Sequence, residues 1–231
     1  MNKILKLSAI ALLASSTSLM AQSKSFEGVS LGLSLSAVGA EISGNSTSGT
    51  PSAGTTSTAN STAGSIGKVA EIASIDLSYG FVTGSNSVIS VGGSYTPGKA
   101  KAGTGTYTDN ARTGSDMDGT LTVQIKNPYT IYIAPTYVVS KDSALYAKIG
   151  YSKADLDVSA SGGAALTSKP KDLEGWTYAI GSKTLLTNNA YVGVEASITD
   201  YDNITAVRAT GVNINADPKI VQATVTLGYK F

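Results

Sequence analysis

The chain has 231 residues, with 17 Lys+Arg against 16 Asp+Glu, and it contains neither Cys nor His. That balance gives no basic excess with which to neutralise nucleic-acid phosphates. Without Cys there is no disulfide scaffold, thiolate metal site or thiol nucleophile, and without His the side chain best suited to proton transfer near neutral pH is missing. Hydrophobic residues make up 42% of the chain, too many for a disordered polymer, and 12 Tyr against 3 Phe and 1 Trp favours positions with one apolar and one wet side.

In chain order, the first segment reads as an export signal. Lys3 and Lys6 form a positive start, Leu7 to Leu13 an apolar stretch, Ser15-Ser16-Thr17-Ser18 a polar run, and Ala21 the residue before cleavage. Leu19 departs from the usual small residue. The apolar stretch is far shorter than the roughly 20 residues of a spanning helix. Residues 1–21 are therefore expected to be a cleaved secretory signal peptide and residues 22–231 one domain. No other stretch has 18 consecutive apolar residues, so entry into a membrane requires a closed barrel, the other structure that satisfies every backbone group in lipid.

The rest of the chain alternates with period 2, which a helix of period 3.6 cannot produce. From about Phe26 to Ser43, Val29, Leu31, Leu33, Leu35 and Ala37 share one face, and Ser30, Gly32, Ser34 and Ser36 the other. The second strand runs from about Lys68 to Val82, the third starts at Val88, the fourth covers Asn127 to Val139, and the fifth starts at Ala144. The sixth carries Trp176, Tyr178 and Ile180, the seventh Val192 to Ile198, and the eighth runs from Lys219 to Phe231. Tight turns at Gly84 to Ser87, Ser140 to Ser143 and Thr187 to Asn189 alternate with long connections at Gly44–Gly67, Gly98–Gly119, Ala160–Asp172 and Val207–Pro218. The expected fold is all-β: a closed antiparallel transmembrane barrel of about eight strands, with short periplasmic turns and long outer loops.

This orientation places the outward aromatics in two bands, as expected at membrane interfaces. Tyr79, Phe81, Tyr137, Tyr229 and Phe231 fall near the short-turn rim. Tyr95, Tyr129, Tyr151 and Trp176 fall near the long-loop rim, with Tyr178 somewhat deeper. The other face carries Asp76, Lys148, Lys183 and Glu195. Buried charges must be paired or solvated, so Lys148, Lys183 and Glu195 on neighbouring strands are either an internal ionic network or charges near a wet rim. Gly32, Ser34, Ser78, Gly92, Gly150 and Gly181 on that face leave room inside, enough for water or small ions.

Phe26-Glu27-Gly28 opens the mature chain and Leu227-Gly-Tyr-Lys-Phe231 closes it. With the signal segment, this frame resembles the small outer-membrane β-barrel families, such as the OmpA-type and opacity-like porin-family proteins. The resemblance implies an outer-membrane location in a Gram-negative bacterium. It also implies Phe231, with Tyr229 and Leu227 on the same face, as the signal read by the barrel-insertion machinery. Implied partners are outer-membrane lipid and lipopolysaccharide, periplasmic chaperones during assembly, and an unidentified extracellular ligand, with the barrel a monomer.

The remaining motifs point to little chemistry. Asn45 to Ser65 is nearly all Ser, Thr, Gly, Ala and Asn, which cannot offset its own ordering entropy. Asn45-Ser46-Thr47 and Asn60-Ser61-Thr62 match a glycosylation pattern that such composition produces by chance. Gly103-Thr104-Gly105 lacks the Lys-Ser/Thr of a phosphate loop, and Thr104 to Thr108 with Gly119 to Ile125 reads as a hairpin extending beyond the membrane. Asp109, Asp116 and Asp118 have carboxylates suited to Ca²⁺ but no EF-hand spacing, so no metal or cofactor is expected. A surface-interaction barrel acting through its outer loops is the leading expectation. A narrow channel is the alternative, and a histidine-free lipid-modifying enzyme or a soluble lipocalin-like carrier are the lesser ones.

Overall fold

The computed structural model describes residues 22–47, 69–107, 119–162, 166–168, 171–186, 189–208 and 213–231. The signal segment, the Ser/Thr-rich stretch from 48, Asn60 to Thr62, Thr108, Asp109, Asp116 and Asp118 lie outside these residues.

A short 3-10 turn, Ser23–Phe26, leads into β1 (Gly28–Thr47), β2 (Val69–Val82), β3 (Ser87–Tyr95), β4 (Lys99–Tyr107), β5 (Gly119–Val138) and β6 (Ser143–Gly162). β7 (Leu166–Ser168), β8 (Asp172–Leu185), β9 (Ala190–Tyr201), β10 (Ile204–Arg208) and β11 (Asn213–Lys230) follow. Eight of these form the wall in the order β1-β2-β3-β5-β6-β8-β9-β11, every neighbour antiparallel, and β11 pairs back onto β1 from Ser30↔Lys230 to Thr47↔Asn213. This closure leaves neither β1 nor β11 as a free edge of the wall. β4, β7 and β10 are outer additions: β4 pairs β5, while β10 bridges β11 and β7.

Alternation decides which face looks inward. On β1, Ser30, Gly32, Ser34, Ser36 and Val38 are buried, whereas Leu33 is 66% exposed, and its partner on β11, Leu227, is 64% exposed. An apolar exterior and a polar interior invert a water-soluble barrel, which disposes of the lipocalin-like arrangement.

The long connections are shorter than the sequence suggests. β1 continues to Thr47, β6 to Gly162, and β11 begins at Asn213, inside the stretch expected to be loop up to Pro218. Pro218 hid that strand because proline cannot donate to a ladder. It sits where β11 has left β10 at Ala216 and not yet met β9 at Lys219, so its missing N–H breaks no bond on that side. The expected hairpin above the fourth strand is β4 with the start of β5, and it adds no strand to the closed wall.

β5 and β6 are each 20 residues long, about twice the 9–11 that cross a bilayer. Their outer halves reverse the pattern. On β6, Leu145, Ala147 and Ile149 face outward, but beyond Tyr151 it is Ala154, Leu156 and Val158 that are buried, with Asp155 and Asp157 exposed. On β5 the switch is made by the backbone: Asn127 has φ 48° and the register with β6 slips between Lys126 and Tyr129. A bulge adds one residue, so Ile125 turns inward although Tyr129 and Ile131 point out.

Candidate functional site

The inward faces enclose a cavity of about 350 Å³ that runs from Phe26 at the short-turn end to Val38, Ile125, Tyr201 and Ile220 at the outer end. Each end is lined by an apolar cluster. At the short-turn end Phe26, carried back under the barrel by the 3-10 turn, packs with Val88, Val138 and Ala144. At the outer end Val38, Ile125, Leu156, Leu173, Tyr201 and Ile220 form a second cluster.

All four charges expected on the inner face line this cavity. Lys148 Nζ lies 2.5 Å from Glu195 Oε2, which also accepts from the Tyr146 hydroxyl at 2.9 Å. The same ammonium sits 4.3 Å from the Tyr132 ring centroid. The Tyr132 hydroxyl spans both oxygens of Asp76, at 3.0 and 2.9 Å. Thus Asp76, Tyr132, Lys148, Glu195 and Tyr146 form one continuous chain of contacts from β2 to β9. Lys183 stands apart from the expected ion-pair cluster. It donates to Ser30 Oγ at 3.2 Å and lies 4.1 Å from the Tyr191 ring centroid, a neutral cradle for its charge.

The tyrosines Tyr132, Tyr146 and Tyr191 are therefore the site residues that sequence reasoning missed. The signal was available, since each occupies the polar phase of its strand, Tyr146 two residues from the inward Lys148 and Tyr191 four from the inward Glu195. They also take the space beside three of the small residues, Gly32, Gly92 and Gly181, while Ser34 and Ser78 line the open cavity. A Cβ at Gly92 would lie 2.6 Å from the Tyr132 hydroxyl, at Gly181 2.5 Å from Tyr146, and at Gly32 2.6 Å from the Tyr191 hydroxyl. These three glycines admit rings, so the space beside them is filled with amphipathic aromatic surface.

Toward the outer end from the charged layer, the interior is lined by hydroxyls bonded to one another across strands. Thr130, Ser152, Thr177 and Thr199 form a run at 2.7, 2.5 and 2.7 Å, and Ser34–Thr226 and Ser36–Thr224 pair at 2.8 Å. These bonds satisfy buried polar groups that would otherwise each cost about 1–3 kcal/mol.

The outward aromatics occupy two levels. Phe81 pairs with Ile89, Tyr137 with Leu145, and Tyr229 with Leu31 near the short turns, where Tyr79–Phe81 and Tyr229–Phe231 rings lie 4.6 and 5.1 Å apart. Tyr95 pairs with Tyr129 and Tyr151 with Trp176 toward the outer end, the latter rings 5.8 Å apart and edge to face. Tyr178 sits two residues further in. One step beyond Tyr151 and Trp176, Lys153 meets Glu174 at 2.5 Å, and Glu174 also accepts from Tyr151 at 2.6 Å. These two donors hold the Glu174 carboxyl below the usual range, Lys153 most strongly.

The outer membrane protein OprG from Pseudomonas aeruginosa superimposes with a TM-score of 0.52 at 11% identity, over 89% of this chain and 96% of that one. Ail, the attachment invasion locus protein of Yersinia pestis, solved with the heparin analogue sucrose octasulfate, gives 0.46 at 14% identity over 89% and 99%. The outer membrane protease OmpT from Escherichia coli gives 0.44 at 12% identity over 89% and 97%. At such identities the likeness concerns the fold alone, and OprG carries it. No curated protein matches the sequence significantly. Residues 9–231 match the family profile described as the outer membrane protein beta-barrel domain, and the chain belongs to this family of outer-membrane β-barrels.

Proposed function

We propose that this outer-membrane barrel is a non-enzymatic surface protein whose outer extension presents the long loops to an extracellular ligand. The observation that carries this reading is the pattern inversion on β5 and β6. Beyond Tyr151 the strands bury Ala154, Leu156 and Val158 and expose Asp155 and Asp157, as a barrel standing in water must. Such a rigid stalk is costly to build unless what it carries matters. The signal at 1–21, the interfacial role of the two aromatic bands, and recognition of Phe231, Tyr229 and Leu227 by the insertion machinery belong to the same reading. So do a monomeric state and contacts with lipopolysaccharide. The absence of His and Cys from the whole sequence supports a non-enzymatic role, since it removes the commonest bases and nucleophiles.

The test is attachment. Bacteria displaying the chain should adhere to epithelial monolayers or polystyrene above a vector control, and deleting residues 48–66 together with 108–118 should remove the gain while leaving a folded barrel. Equal attachment with and without the deletions would overturn the surface role. The internal cavity favours a second reading, a narrow conduit for water or small ions. A steady single-channel conductance in planar bilayers, raised by Phe26→Ala, supports it, and silence in both proteins removes it.

A further inference from the structure

Among the described residues the wall is incomplete beside the outer part of β2. β2 and β3 pair only as far as Ile75↔Tyr95, and among the described residues β2 from Val69 to Ser74 pairs with β1 alone. The chain leaving Tyr95 bends away from β2. Thr96 N–H donates to Pro128 O at 2.9 Å, Asn127 N–H to Gly98 O at 2.8 Å, and Gly98 N–H to the Asn127 side chain at 3.1 Å. Gly98, at φ 102°, permits this bend, after which β4 runs along β5. A break is left between the outer part of β2 and the segment from 96 to 99.

The cavity reaches this break. Its lining includes Ala73 and Glu71 on one lip and Pro97 and Lys99 on the other. Ala73 is the telling residue. It belongs to the outward phase of β2, between the inward Ile72 and Ser74, and a sealed wall would hide it from the interior. The break begins at the level of Tyr95 and Tyr129, the outer aromatic band, where amphiphilic molecules concentrate at a bilayer surface.

The chemistry inside follows in order. Val38, Ile72, Ile125 and Ile220 supply apolar surface near the outer end; beyond them come the Ser36–Thr224 and Ser34–Thr226 hydroxyl pairs. Deeper still, Asp76, Lys148 and Glu195 are already engaged with tyrosines and with one another. An apolar body with one neutral hydrogen-bonding head suits this sequence. An ionised head would have to displace an existing partner. The whole cavity, of which this outer part is one portion, measures about 350 Å³, near the lower end of the about 300–1,000 Å³ of small-molecule sites, so the ligand must be small.

We infer that the outer half of the barrel interior is a binding chamber for a small uncharged amphiphile with a hydroxyl-type head, entered sideways through the break between β2 and the 96–99 segment. The chamber is a second site, independent of any ligand held by the loops.

The experiment uses the mature chain in phosphatidylcholine nanodiscs and the probe 1-naphthol, read by fluorescence against empty nanodiscs. Saturable one-site binding is expected, with naphthalene-1-sulfonate at least about tenfold weaker. Ser36→Phe fills the chamber and should weaken 1-naphthol by about tenfold or more, its folding verified by heat-dependent gel mobility. Ala73→Trp obstructs the lip from outside and should slow association severalfold in stopped flow, which keeps the test decisive should Ser36→Phe misfold. Uptake no greater than that of empty nanodiscs, wild-type behaviour of the folded variants, or sulfonate binding as tight as naphthol would each overturn the inference.

Discussion

Removing the ammonium of Lys148 tests the internal network directly. In Lys148→Met the chain length is nearly kept, but Glu195 loses an ion pair at 2.5 Å between side chains only 12% and 14% exposed. Leaving one member of a buried pair uncompensated costs about 3–5 kcal/mol. Two features bear on the value here. Glu195 retains the Tyr146 hydroxyl, which lowers the cost, while the lost contact of Lys148 with the Tyr132 ring adds about 0.5–2 kcal/mol. A destabilisation of about 3 kcal/mol is expected from these offsetting contributions. The double variant Lys148→Met with Glu195→Leu removes both charges, and replacing a whole buried pair by apolar groups is often neutral. Its cost should therefore fall below that of Lys148→Met alone, giving a coupling energy of at least about 1.5 kcal/mol. Reversible urea unfolding in phospholipid vesicles, followed by fluorescence of Trp176, provides the free energies. Additive costs in the double variant, or less than about 0.5 kcal/mol for Lys148→Met, would refute the view of the interior as a low-dielectric network.

Lys183→Met should cost less than Lys148→Met in the same assay, because Lys183 leaves behind a neutral hydroxyl and a ring rather than a carboxylate. Gly181→Ala places a Cβ 2.5 Å from the Tyr146 ring and 2.6 Å from Val194 O, so a loss of about 1–3 kcal/mol is expected, seen as a lower temperature for the gel mobility shift. Leu156→Asn, inside the outer cluster, should open the extension to limited proteolysis while membrane insertion persists, whereas the same change at Leu145 should impair insertion. For Glu174, the depressed carboxyl means a contribution fully present above the ordinary glutamate value and lost as pH falls through the lower folded value. Lys153→Met should move that titration upward in a ¹³C NMR experiment.

Much of the architecture is legible in the one-dimensional pattern because a β-strand projects its faces with period 2. Val29 to Ala37 and Val221 to Phe231 announce their outward phases without tertiary information. The alternation of short and long connections then sets strand count and direction. What misled was local chemistry. Pro218 looks like a loop residue, and the phase change after Tyr151 looks like the end of a strand. Both are strands continuing under altered conditions: one at a gap in pairing, the other where the apolar residues pass from the exposed to the buried face.

For the interior, the sequence places Asp76, Lys148, Lys183 and Glu195 on the inward phase by itself, since phase depends only on position within a strand. It does not determine partners. Whether Lys148 reaches Glu195 depends on the registers of β6 with β8 and β8 with β9, set along whole ladders by many residues at once. Three-dimensional packing likewise decided that Gly92 and Gly181 receive the rings of Tyr132 and Tyr146 instead of enclosing space. The break beside β2 belongs to the same category. It arises from a bulge at Asn127 and a left-handed Gly98 that together draw β4 onto β5, a choice between competing pairings that only the folded chain can make.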